Sequence, residues 1–133
     1  DKRYHIVKEL VEVEKEYVES LQTIVEKYMV PLKNNPALLD ASSVAEIFHW
    51  IPEIQTQHTI FLSLLENAWK SWTSDTTIGD QIAVMFKKRT VVEFYCSFIE
   101  NFARSERSLE TALQQKSAFQ RFVEVSNYFK LPE

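Results

Sequence analysis

The sequence predicts an all-α fold, an elongated antiparallel bundle of about four main helices. Three observations carry this. Gly79 is the single glycine in 133 residues, and β-rich folds need glycine in their many tight turns. Apolar residues recur at alternating spacings of four and three over long stretches, the mark of one helical face. Breaking residues gather in two short stretches, "PLKNNPALL" and "TSDTTIGD". Connections are therefore few, and helices joined by short breaks pack antiparallel.

The first segment runs from about Arg3 to Leu32. Ile6, Leu10, Val13, Tyr17, Leu21, Ile24, Tyr28 and Leu32 form its stripe, and Val7, Val11, Val18, Val25 and Met29 widen it on one side. A helix of this length spans roughly 45 Å. Two prolines and two asparagines then end it. The second segment opens at "SSVAE", where Ser43 and Glu46 have capping-box spacing. Ile47, Ile51, Ile54, His58, Phe61, Leu65, Ala68 and Trp72 continue the stripe. Pro52 either kinks this helix or separates a short helix from a longer one.

The third segment starts at Thr77 and Asp80 and runs from Ile78 to Phe102 or beyond. Its buried side is marked by Ile82, Phe86, Val92, Tyr95, Phe98, Ile99 and Phe102. The polar stretch "ARSERSLETALQQKS" fits a helix end with a turn and a short helix, or one continued helix. A weaker capping box, Ser117 with Gln120, opens the fourth segment, with Phe119, Phe122, Val123 and Phe129 as its core. Leu131 and Pro132 end it.

Composition excludes several classes. A hydrophobic share of 45% with 13% aromatics is globular. The net charge of −4, without a basic tail, argues against a nucleic-acid partner. No apolar run approaches the ~18–20 residues that span a bilayer, so direct membrane insertion is not expected. Cys96 is the lone cysteine and has no internal disulfide partner, which fits a cytoplasmic setting. The charged start "DKRYHIVKEL" is no signal peptide. It lacks an initiator methionine, so the expectation is one domain over 1–133, an incomplete piece of a longer protein.

Few residues carry chemistry. Glu46 and His49 share a helix face at i, i+3, but carboxylate-bridged metal bundles need two such pairs and further glutamates. Neither a metal site nor a cofactor is expected. His49 reads as a rim residue, and His58 as a partly buried histidine with a hydrogen-bond partner. Cys96 sits in "EFYCSFIENF" and reads as a small core hydrophobe. With Gly79 alone, no phosphate loop or dinucleotide fingerprint exists. "FKKR", Phe86 to Arg89, reads as a solvated basic face. No catalytic residue is assigned.

One feature of the first segment goes beyond packing. Glu9, Glu12, Glu16 and Glu19 fall at spacings of three, four and three and line one helix edge, with Lys8 and Lys15 placed to pair with some of them. Most charged faces only solubilise. A rigid acidic edge also suits docking, because helices hold side chains more precisely than loops.

The residues themselves resemble a known family. "KELVEVEKEYVESLQTIVEKYMVPL" is similar to the first conserved segment of Dbl-homology domains, the exchange domains of guanine nucleotide exchange factors for Rho-family GTPases. Glu9, Glu14, Tyr17, Val18, Leu21, Tyr28, Pro31 and Leu32 match in register. "VAEIFHWIPEIQTQHTIFLSLLE" resembles the following segment through Ile47, Phe48, Ile51, Ile54, His58, Phe61, Leu62 and Leu65. "TIGDQIAVMFKKRTVVEFYCSFIENFARSERSLE" fits the next through Ile78, Gly79, Asp80, Phe86, Tyr95, Asn101 and Leu109. The resemblance covers nearly the whole chain. Val13 departs from the family's usual threonine. The family's third conserved segment, with its Pro-x-Gln-Arg pattern, and the long helix after it have no counterpart; "FQRF" at Phe119 lacks the proline.

The resemblance implies an exchange factor that grips the switch regions of a Rho-family small GTPase and releases GDP. By analogy Glu9 contacts the switch I backbone, while Tyr17, Leu21, Phe61 and Phe98 read as core. The piece alone retains that activity or has lost it with the missing helices. A different class remains open: a helical interaction or scaffold module that self-associates through exposed apolar faces.

Overall fold

The computed structural model describes residues 2–128. Every regular element among them is helical: α1 (Lys2–Thr23), a π-helical turn (Ile24–Met29), α2 (Val30–Lys33), α3 (Ala41–Ile47), α4 (Ile51–Lys70), α5 (Gly79–Lys87), α6 (Arg89–Gln115) and α7 (Ser117–Tyr128). The all-α expectation holds. The chain folds as two compact units. One comprises residues up to Gln22 together with Pro52–Cys96; the other comprises Thr23–Ile51 and the chain from Ser97 onward.

The first unit has a core of Val7, Val11, Phe61, Leu65 and Met85, with Leu10, Leu62, Trp69, Trp72, Ile78 and Tyr95 packed against it. α1 forms because twenty-two residues pass without Gly or Pro. Its many valines are only moderate helix formers, so packing of the buried face holds it. That face is Val7, Val11, Glu14, Val18 and Leu21. The sequence pattern placed its centre one residue off: Ile6 and Val13 are more than 60% exposed and Tyr17 is also exposed. The residues expected only to widen the stripe are its centre, since a one-residue offset turns a helical face by about 100°. Arg3 closes the α4–α5 loop, donating to the Ser74 carbonyl at 2.7 Å and the Thr76 carbonyl at 3.2 Å. Its guanidinium also lies over the Trp72 ring.

α5 and α6 correct the single third helix. α5 begins at Gly79 after Ile78, which offers no side-chain cap, and Lys88 is extended at ψ 120°. Neither Gly nor Pro causes the break. Met85 and Val91 are both buried, yet in one uninterrupted helix they would point about 120° apart. The break resets the phase so that both face inward. Phe86 then packs its ring on Phe61 and Tyr95. Ile82, Phe86, Val92, Ile99 and Phe102, all expected to be buried, are exposed. Cys96 is exposed as well, because it lies off the side of α6 that carries Val91.

The second unit has a core of Leu32, Leu39, Val44, Ala112 and Phe119, with Phe122 and Val123 half-buried against it. Phe129, Leu131 and Pro132 lie outside the described residues. The π-helical turn ends two residues before Pro31, whose ring would clash with the carbonyl four residues back in a regular helix. The wider turn relieves that clash. α3 is capped by Asp40 instead of Ser43. The Asp40 backbone is extended, and its carboxylate accepts from the Ser43 N–H at 3.2 Å and the Ser42 hydroxyl at 2.7 Å. A charged acceptor at the positive helix end outcompetes a hydroxyl. Hydrogen bonds from Ser42, Ser43 and Lys116 hold the Asp40 carboxyl well below the usual carboxylate range. α3 ends at Ile47 and α4 begins at Ile51, so Pro52 separates two helices from within a first turn, where its missing N–H costs nothing. Trp50 between them has φ 62°, an unfavourable backbone for a residue with a Cβ. Its indole N–H donates to Ser97 Oγ at 2.7 Å and fixes the turn. The polar stretch after Phe102 continues α6 to Gln115, and α7 begins at Ser117.

Candidate functional site: the acidic edge of α1

α1 carries two kinds of glutamate. Glu9, Glu12, Glu16 and Glu19 are all exposed. Glu14 is buried. Glu9 and Glu14 are five residues apart, which sets them about 140° apart around the axis. One side of α1 is therefore tied inward while its acidic edge faces solvent. Among the described residues, Glu9 makes no hydrogen bond or ion pair, and the pairing open to Lys8 and Lys15 is not formed. A carboxylate can only accept hydrogen bonds. An unpaired one on a fixed helix is a ready acceptor for backbone N–H groups of a partner.

The inward tie is a buried polar chain within the first unit. His58 Nδ1 bonds Glu14 Oε1, and the Tyr95 hydroxyl bonds His58 Nε2. The carboxylate cannot donate, so Nδ1 carries the hydrogen of that bond, while Nε2 meets the phenol. Tyr17 packs edge-on against the imidazole with centroids 4.6 Å apart. Residues of α1, α4 and α6 thus meet in one network. Burial pushes the Tyr95 phenol up to about 12, helped by the negative charges of Tyr17 and Glu14. Burial, then Glu14, also raises Tyr17.

A raised phenol stabilises the fold fully below the ordinary tyrosine value of about 10 and loses that contribution as pH climbs to about 12. Stability is accordingly expected to fall between pH 10 and 12, with one late tyrosine in the ultraviolet titration. Tyr95→Phe should remove that late titration and flatten the alkaline limb. An unchanged titration curve would contradict the placement of the phenol.

The other candidates separate. Glu46 accepts from Ser108 at 2.8 Å, whereas His49 bonds Ser97 at 3.1 Å, half-buried at a rim. Among the described residues no three His, Cys, Asp or Glu side chains gather to hold a metal ion. Lys87, Lys88 and Arg89 are exposed, and Arg89 pairs with Glu93 at 3.2 Å. No helix among the described residues is long and apolar enough to cross a membrane. His58 has the burial and partner the sequence suggested. The role of Glu14 as that partner was missed, although it falls on the stripe Val7, Val11, Glu14, Val18, Leu21, where a lone acid signals a buried pair.

Comparison with known proteins agrees with the three matched segments. The RhoGEF domain profile matches residues 6–130. Human Rho guanine nucleotide exchange factor 17 is 35% identical over 128 residues, covering 95% of this chain and 6% of the relative. Rho guanine nucleotide exchange factor osg-1 of Caenorhabditis elegans is 37% identical over 122 residues, 90% of this chain and 10% of the relative. Mouse Rho guanine nucleotide exchange factor 10 is 32% identical over 125 residues, 93% and 9%. The chain thus spans a tenth or less of the length of these relatives. With the profile matched over almost its whole length and an all-helical fold, the chain belongs to the RhoGEF (Dbl-homology) domain family.

Proposed function

We propose that residues 1–133 act as one exchange domain that promotes GDP release from a Rho-family small GTPase by engaging its switch regions. The observation that carries this reading is the RhoGEF match over residues 6–130, which draws on both compact units. The domain regulates a GTPase and makes or breaks no covalent bond of its own. It acts by binding the nucleotide-free GTPase more tightly than the GDP-bound form, which shifts the population toward the open state. The acidic balance favours a protein partner over nucleic acid, and a lone unpaired cysteine fits a cytoplasmic setting.

Glu9 is the residue proposed to contact switch I. Its carboxylate would accept backbone N–H groups, and charge-assisted bonds of this kind are worth about 1.5–3 kcal/mol. Glu9→Ala is expected to leave helical circular dichroism intact, because the side chain touches nothing in the core. Exchange should fall by about 10- to 100-fold, reported by release of fluorescent GDP. Exchange equal to that of the unaltered chain would remove Glu9 from the site.

A second reading has its own support. Ile99 and Phe102 are largely exposed on α6, and exposed apolar residues on one helix invite association. A helical interaction module would run as a dimer or larger species in light scattering at micromolar concentration, and Ile99→Glu with Phe102→Glu would return it to monomer. A monomer throughout would discard this reading.

A further inference from the structure

We propose that the cleft between α3 and the C-terminal half of α6 is a binding site for a phosphate monoester dianion. The cleft encloses about 360 Å³. Its floor is apolar, formed by Leu39 and Ala112, both buried. Its walls carry three cations, Arg104, Arg107 and Lys116, against two carboxylates, Asp40 and Glu46. In a chain of net charge −4 this is a local reversal of sign.

The hydrogen-bond account of the cleft shows what it lacks. Both carboxylates already accept hydrogen bonds. Asp40 accepts from Ser42, from Ser43 and from Lys116 Nζ at 3.2 Å. Glu46 accepts from the Ser108 hydroxyl at 2.8 Å. The guanidinium groups retain free donors. Arg107 spends only its Nε–H, on the Ala103 carbonyl at 3.3 Å. Among the described residues Arg104 has no hydrogen bond or ion pair at all. The cleft therefore offers guanidinium N–H donors in excess, beside the Glu46 Oε1 oxygen and the Gln115 amide. Arg104 and Arg107 stand one helical turn apart, and Thr111 follows one turn further along the same face. Two unpaired like charges at that spacing disfavour the helix mildly, and an anion between them turns the repulsion into attraction. Two planar forks and a hydroxyl match a tetrahedral oxyanion, which guanidinium binds bidentately. A phosphate ester fits better than a carboxylate because it presents three acceptor oxygens and up to two charges. The apolar floor suits the carbon skeleton that carries the ester.

Both arginines are exposed, so their replacement is expected to leave the fold intact, which circular dichroism checks. Inorganic phosphate is titrated into the isotope-labelled chain at constant ionic strength. Saturable shifts are expected at the Arg104 and Arg107 side-chain nitrogens and at backbone amides from 104 to 111. R104A with R107A should weaken binding at least tenfold. Shifts that sodium chloride reproduces, or that survive the double substitution, overturn the proposal. The source of the ester is read with phosphatidylcholine vesicles containing phosphatidylinositol 4-phosphate or, at matched surface charge, phosphatidylserine. Retention on the former alone, lost in the double variant, identifies a lipid headgroup. Phosphate binding without vesicle retention identifies a soluble ester. Equal retention on both vesicles would show charge attraction without a site and would refute the proposal.

Discussion

His58→Leu is expected to destabilise the chain by about 3–5 kcal/mol, because it strands one member of a buried pair. Glu14 would keep a carboxylate in a place where it is 9% exposed, with its one hydrogen-bond partner gone. The Tyr95 hydroxyl would lose its hydrogen-bond partner at the same time. Against a total stability of about 5–15 kcal/mol, this is a large fraction. Urea unfolding should show the midpoint falling with little change in slope. The triple replacement Glu14→Leu, His58→Leu, Tyr95→Phe should be far milder than the sum of its parts, since no polar group is left unpaired. A double-mutant cycle on Glu14 and His58 reads the coupling directly. Additive effects would mean that the two side chains do not act as a pair.

Phe119→Ala should be comparably damaging in the second unit, at about 3–5 kcal/mol. Phe119 is 1% exposed among Leu32, Leu39, Val44 and Ala112. Its removal opens a cavity that those neighbours cannot fill without moving. The control is Ile99→Ala. Ile99 is 69% exposed, so its truncation should change stability by no more than about 0.5 kcal/mol. The sequence alone ranks these residues together as buried. A large effect at Ile99 and a small one at Phe119 would reverse the assignment of the core. Native-state hydrogen exchange would show the Phe119 loss concentrated in α7, α3 and the π-helical turn.

The reason for that misranking is physical. Periodicity reports that a face is apolar, but not which edge of a wide apolar face is deepest. On α1 the pattern centres the stripe on Ile6, Leu10 and Val13, whereas the packing centres on Val7 and Val11, one residue along. The break at Lys88 has no local signal, since Lys and Arg are good helix formers. It exists because Met85 and Val91 must both point inward. The cap of α3 had a competing acid three residues before Ser43, and the charged side chain won. By contrast, the ends of α2 and α4 and the separation at Pro52 were legible, because Pro, Asn and Gly act through their own backbone chemistry.

The candidate site was legible in a narrower sense. The acidic row on α1 follows from spacing alone, and its exposure agrees with that spacing. The anchoring of the opposite face by Glu14, His58 and Tyr95 joins residues 44 and 37 positions apart. Helical periodicity reaches only a few residues and carries no record of such pairings.

The most direct test is release of fluorescent GDP from a panel of Rho-family GTPases, with the unaltered chain and with Glu9→Ala beside it. The chain is expected to accelerate release from at least one member, and Glu9→Ala to remove most of the acceleration. Release at the intrinsic rate from every member would contradict the claim that this chain carries exchange activity.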